Sequence, residues 1–164
     1  MFDLSSQIED GALVPTDGFI DGAFVEGAGR FAVTDPATGE SVAEVARLTA
    51  DDARRAVEAA QAAFAAWATA LPQQRSVLLR RWFEQIVAHR EDLARIMTAE
   101  QGKPLSEARG EIDYAASFVE FYAEEAKRPN IESVTSHLHD AEMELWREPV
   151  GVAALVTPWN FPSA

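Results

Sequence analysis

Cysteine is absent from the chain, which removes any disulfide framework, thiolate metal site or thiol nucleophile from its 164 residues. Basic side chains are scarce, 14 against 27 acidic ones, for a net charge of −13. A protein that grips phosphate backbones needs a basic stripe. The arginines that cluster here (Arg54, Arg55, Arg80, Arg81) sit among acidic residues on helical patterns and read as solvated helix faces, so no nucleic-acid partner is expected. Long apolar runs are also lacking: Val152–Val156 is a clean one, far short of the roughly 20 residues that a membrane span needs. The opening MFDLSSQIED has neither a basic n-region nor an apolar h-region, so no secretory signal and no membrane partner are expected, and the protein is read as soluble and cytoplasmic. What is present, 48% hydrophobic residues, suffices for one core of ordinary size.

Asp21-Gly22 lies between apolar stretches, a strong hairpin signal because both turn residues must tolerate positive φ. A second turn at Asp35–Gly39 separates Phe31–Thr34 from Ser41–Val45, so the first fifty residues are expected to form a small antiparallel sheet. Thr49 with Asp51 and Asp52 starts a helix carrying Ala53, Val57, Ala60, Phe64 and Trp67 on one face. Pro72 opens a second, running toward Gly102 with a break near His89. Pro104 restarts the pattern with Leu105, Ala108, Ile112, Ala115, Val119, Tyr122 and Ala126, and Pro129 is expected to end it. Trp67, Trp82 and Tyr122 read as core aromatics.

Beyond Pro129, Val134, Leu138, Met143, Leu145 and Trp146 alternate with polar residues, as half-buried strands do. His137 and His139 would share a face of such a strand, as two metal ligands do. With no thiol and no third ligand suitably spaced they read as exposed hairpin residues, and no metal site is expected. The run Val150–Val156 then suits a strand buried on both faces, of the kind found in parallel sheets, yet only eight residues follow it and the sheet cannot be completed from within this sequence. Thr157-Pro158-Trp159-Asn160-Phe161-Pro162 follows directly, where open α/β sheets bind ligands. Two prolines restrict this turn, and turn chemistry alone leaves two readings of Asn160. Its amide either donates to an oxyanion from a rigid, water-poor site or bonds its own backbone.

Four segments in order, GFIDGAFVEG (18–27), TDPATGE (34–40), EQGKPLSEARGEIDYAASFVEFYAEEAKR (100–128) and PVGVAALVTPWNFPSA (149–164), resemble the aldehyde dehydrogenase superfamily. Leu105–Arg128 looks most like its succinate-semialdehyde dehydrogenase branch. The resemblance implies an α/β fold: the amino-terminal part of an aldehyde dehydrogenase, with a small antiparallel sheet, a helical layer, a hairpin and the first strand of an incomplete Rossmann-type parallel sheet. Residues 1–164 would form a partial NAD(P)-binding domain that includes an oligomerisation-type hairpin at 132–148, with the catalytic domain outside this chain. It also implies a reaction in which a cysteine attacks an aldehyde, hydride passes to NAD or NADP, and a glutamate activates the water that hydrolyses the thioester. Asn160 matches the family asparagine that holds the oxyanion. Val156, Thr157, Pro158 and Trp159 match the strand end that lies along the dinucleotide, and Phe161 matches a wall of the substrate tunnel. The expected partners are a small aldehyde and further copies of the chain, as a homodimer or homotetramer of the full-length protein.

The departures matter equally. The family's cysteine, its glutamate, and the lysine and strand that hold the cofactor ribose all lie beyond Ala164, so the chain alone is expected to be inactive. The basic residue that the semialdehyde branch carries shortly after NFPSA is missing too. Pro129-Asn130-Ile131-Glu132 replaces a tyrosine- and glycine-containing segment, which weakens the branch assignment more than the family one. The alternative is a non-catalytic oligomerisation or interaction piece built on the helices and the hairpin.

Overall fold

The computed structural model describes residues 4–128 and 130–163. Asp21 and Gly22 take positive φ (51° and 76°), the backbone of a two-residue hairpin turn, and bring β1 (Gly18–Ile20) antiparallel to β2 (Ala23–Val25). A second hairpin joins β3 (Arg30–Thr34) to β4 (Ser41–Ala46). In its turn the Asp35 carboxylate accepts from the Ala37 amide at 2.8 Å and the Thr38 hydroxyl at 3.0 Å. The two hairpins stay separate ladders rather than merging into the one small sheet expected. The end of β4 bonds loop carbonyls instead of a strand edge: Ala46 N to Thr16 O and Arg47 N to Gly29 O, both 2.7 Å.

Four helices follow. Thr49 and Asp52 cap α1 (Ala50–Thr69) reciprocally, the Thr49 amide donating to Asp52 at 2.8 Å and the Asp52 amide to the Thr49 hydroxyl at 3.3 Å. Pro72 opens α2 (Pro72–Ala88), and the break expected near His89 separates it from α3 (Arg90–Gln101). Gly102, left-handed at φ 79°, ends α3. The fourth helix, α4 (Leu105–Glu125), closes with Ala126 N bonding Tyr122 O at 3.0 Å. Pro129, expected to end it, lies outside the described residues.

The core mixes alanines with a few large aliphatic side chains. Ala94, Met97, Ala108 and Ile112 pack between α3 and α4, with Ile86, Leu93 and Leu105 against them. Ala94 and Ala108 are wholly buried, which lets the two helix backbones approach closely. A second cluster seats Leu4 and Ile8 on Ala99. The Asp92 carboxylate holds this amino-terminal segment by accepting from the Glu9 and Asp10 amides at 3.0 and 2.9 Å. Ion pairs lace the helices: Arg80 of α2 reaches Glu120 and Glu124 of α4 at 2.8 and 2.7 Å, and Arg109 of α4 clasps Glu91 of α3 at 2.7 and 2.8 Å.

Trp67, Trp82 and Tyr122 are not core residues. They are 44, 59 and 58% exposed, and α1 buries none of its side chains. The helices form where periodicity placed them, but their buried faces differ: the α1 stripe is largely exposed, and α4 buries Ala108, Glu111, Ile112, Ala116 and Ala123, a face that leaves out Tyr122. The hairpin expected at 132–148 forms as β5 (Ile131–Val134) paired with β6 (Met143–Trp146). Its residues are all exposed rather than half-buried: the ladder is a two-stranded sheet of its own, joined by no other described strand. His137 and His139 fall in its connecting loop, not on a strand. Residues 147–158 form no strand: Val150, Leu155 and Val156 are 98, 88 and 95% exposed. A strand needs a hydrogen-bonded neighbour, and none of the described strands lies beside this run. No described helix is long and apolar enough to cross a membrane.

A methyl group at Gly102 would sit 2.8 Å from Pro36 Cγ on a left-handed backbone, whereas one at Gly110, inside α4, meets open space. Gly102→Ala is therefore expected to lower unfolding free energy by about 1–2 kcal/mol from backbone conformation alone. Gly110→Ala should raise it by about 0.5–1 kcal/mol. Urea titration of the two variants compares them directly. Hydrogen bonds from Arg109, then its charge and that of Arg95, hold the Glu91 carboxyl down from 4.5 to about 2. A carboxyl whose pKa is lower folded than unfolded stabilises the protein above its unfolded pKa, and that stabilisation disappears as pH falls toward the folded value. Stability should thus fall between pH 4.5 and 2, and Arg109→Met should flatten that part of a urea-midpoint profile.

Candidate functional site

Phe161 N donates to Pro158 O at 3.2 Å, folding residues 158–161 into a turn stiffened by Pro158 and Pro162. This turn is fastened to the junction of α3 and α4 through its main chain. Gln101 Nε2 donates to Trp159 O at 3.1 Å, and Lys103 Nζ donates to Asn160 O at 2.8 Å. Glu111 Oε1 accepts from Ser163 N at 2.9 Å. Lys103 and Glu111 also pair with each other, and the ammonium lies 4.3 Å from the centre of the Phe161 ring. Their side chains are only 10 and 1% exposed.

The local sequence explains this placement. Left-handed Gly102 reverses the chain at the end of α3, and extended Pro104 launches α4, so Lys103 stands at a corner between two helices. Glu111 follows Ala108 by three positions and precedes Ile112, on the buried face of α4. A carboxylate there must be paired and hydrogen-bonded to be tolerated, and Lys103 and Ser163 supply both partners. The corner and the turn border a shallow, open cleft of about 630 Å³, lined by Gln101–Pro104, one face of α4 from Glu107 to Tyr114, and Asn160 with Phe161.

Two of the expected site residues, Asn160 and Phe161, therefore meet at one cleft. The Asn160 side-chain amide makes no hydrogen bond among the described residues; only its carbonyl is held. The self-bonded alternative does not form. The water-poor environment expected does not form either, because no described residue packs over the exposed turn. Val156 and Thr157, which belong to no strand, and Pro158 and Trp159, at the start of the turn, lie exposed outside the cleft, Trp159 at 84%. Gln101, Lys103 and Glu111 were not singled out from sequence, although an acidic residue inside the Leu105–Ala108–Ile112 stripe was a signal that a buried cation would answer it. Among the described residues no group of three or more His, Asp or Glu side chains is arranged to hold a metal.

The sequence profile of the aldehyde dehydrogenase family matches residues 24–164. This chain belongs to the aldehyde dehydrogenase family. It is 45% identical to the glutarate-semialdehyde dehydrogenase of Pseudomonas putida, over 96% of its own length and 33% of the relative's. It is 48% identical to the non-phosphorylating aspartate-semialdehyde dehydrogenase of Halomonas elongata, over 98% of this chain and 33% of that one. The crystal structure of succinate-semialdehyde dehydrogenase from Burkholderia pseudomallei superposes with a TM-score of 0.87 at 44% identity, covering 94% of this chain and 33% of that one. The chain thus spans about a third of the length of the relatives it matches. Superposition on solved aldehyde dehydrogenases over nearly all of this chain makes it a partial α/β fold of this family.

Proposed function

We propose that the whole protein is an NAD(P)-dependent aldehyde dehydrogenase that oxidises a short semialdehyde, such as succinate semialdehyde, to its carboxylic acid. In this reading Asn160 is the oxyanion donor. The observation that carries it is the unengaged Asn160 amide at the rim of the cleft, on a turn whose main chain is fixed on both sides. Relatives named for glutarate, aspartate and succinate semialdehydes, at 44 to 48% identity, support the substrate class.

A thiol supplied by polypeptide outside these residues attacks the aldehyde carbon, and negative charge grows on the carbonyl oxygen. The Asn160 amide donates to that oxygen, and because its backbone is already fixed, little reorganisation is needed as the charge forms. Phe161 walls the substrate beside it. Attack gives a thiohemiacetal; loss of hydride from its carbon to the nicotinamide would leave a thioester, and the glutamate that the family uses to activate water for its hydrolysis has no match among these residues.

The nicotinamide, when bound, supplies the hydride acceptor. Val156, Thr157, Pro158 and Trp159 fit one wall of a dinucleotide site, since they form an exposed and largely apolar edge. They do not make a whole site: the basic group nearest the turn, Lys103, is already engaged by Glu111. Whether the cofactor is NAD or NADP is decided by residues outside this edge. A solved relative, betaine aldehyde dehydrogenase from Staphylococcus aureus in complex with NAD+, supports a nicotinamide cofactor. The exposed β5–β6 hairpin, with Ile131, Leu145 and Trp146 uncovered, supports assembly into a homodimer or homotetramer. We read 1–164 as part of the NAD(P)-binding domain of a cytoplasmic enzyme.

In the complete protein, Asn160→Ala is expected to lower kcat about a hundredfold to a thousandfold while titratable thiol stays constant. The 164-residue chain should reduce neither NAD+ nor NADP+ with any semialdehyde, having no cysteine. A complete protein that assembles but forms no reduced cofactor with any aldehyde would favour the non-catalytic oligomerisation reading instead.

A further inference from the structure

We propose that Lys103 and Glu111 act as a pair of positioning residues that set the Asn160 amide in its working place. The proposal rests on the reading of Asn160 as oxyanion donor and assigns its alignment to residues outside the turn.

Each hydrogen-bonding group of the pair has a partner that bears on the turn or on the pair itself. The ammonium carries three N–H bonds. It donates to Glu111 Oε2 and to Asn160 O at 2.8 Å, and it faces the Phe161 ring at 4.3 Å. Of the Glu111 oxygens, one takes the lysine and the other accepts from Ser163 N at 2.9 Å. The pair therefore grips the main chain at Asn160 itself and three residues beyond, and leaves the Asn160 side chain free. A buried ion pair adds little stability over apolar residues of similar volume. What apolar residues could not reproduce is this pair of directional bonds to the turn. Carbonyl 160 and the side-chain amide of residue 160 hang from one Cα, so fixing the first restricts the second. An error of about 1 Å at such a donor costs on the order of a hundredfold in rate.

The test uses the complete protein with Lys103→Met, and with Lys103→Met/Glu111→Leu. The double variant removes both charges, so it avoids leaving a carboxylate buried without a partner and keeps a folded protein to measure. Both are expected to lower kcat about ten- to a hundredfold with KM for the aldehyde changed less than about threefold, the pattern of an interaction felt in the transition state. Combined with Asn160→Ala, either change should cost less than about threefold more, because the amide it aligns is gone. Hydrogen exchange followed by mass spectrometry should show the amides of Phe161 and Ser163 opening about tenfold faster in both variants. A loss of kcat that is equally large with and without the Asn160→Ala change would overturn the proposal, since the pair would then act elsewhere. Unchanged exchange across 159–163 would overturn it too. If Asn160→Ala alone turned over normally, the oxyanion reading would fall and the catalytic part of the proposal with it, while exchange would still decide whether the pair holds the turn.

Discussion

Taking a lysine and a glutamate out of water carries a desolvation cost that their mutual attraction does not reliably recover. Lys103 and Glu111 are tolerated at the α3–α4 corner because their remaining donor and acceptor capacity is used on the main chain of the 158–163 turn. The dependence runs both ways. Without the turn, a buried carboxylate oxygen and an ammonium proton would lack partners; without the pair, the turn would keep, among the described residues, its internal Phe161–Pro158 bond and the bond from Gln101.

That corner is itself a product of backbone restriction. Gly102 takes a conformation that other residues enter only at a cost, with Pro36 of the β3–β4 turn packed against it. Pro104 cannot continue the preceding helix and starts the next. Behind the corner, Ala94 and Ala108 let α3 and α4 lie close enough for Arg109 to clasp Glu91 across them. The small residues of the core thus fix the helix spacing, the spacing fixes the corner, and the corner fixes the turn.

The parts legible in the sequence were those governed by local chemistry. The Asp21-Gly22 hairpin, the Thr49–Asp52 cap, the break at His89 and the stop at Gly102 each depend on one or two residues with a narrow conformational repertoire, and all formed where expected. Periodicity located the helices but not their depth. Trp67, Trp82 and Tyr122 lie on stripes that look like core, yet burial depends on what covers a stripe, and that is a property of the assembly rather than of the segment. The same holds for β5–β6 and for Val150–Val156, whose apolar character was read correctly and whose partners were not available to read. At the site, Asn160 stood out because its neighbours are distinctive. Lys103 and Glu111 lie more than fifty residues away in sequence from the main-chain groups they hold, and only the fold brings them to the turn.

The turn is held by its backbone and not by its side chains, and this distinction separates the two kinds of exposed residue around it. Trp159 O, Asn160 O and Ser163 N are all occupied, while the amide of Asn160 and the ring of Trp159 are left outward. A main-chain grip constrains position without consuming the groups that could meet a ligand, as a site that must be rigid and yet chemically available requires. Val150, Leu155 and Val156 are exposed for a different reason. They are apolar side chains on a segment with no neighbouring strand among the described residues, and covering each would contribute about 1.5–3 kcal/mol. One end of the segment is thus anchored by polar bonds that are already made, and the other carries a hydrophobic drive that a sheet neighbour would satisfy.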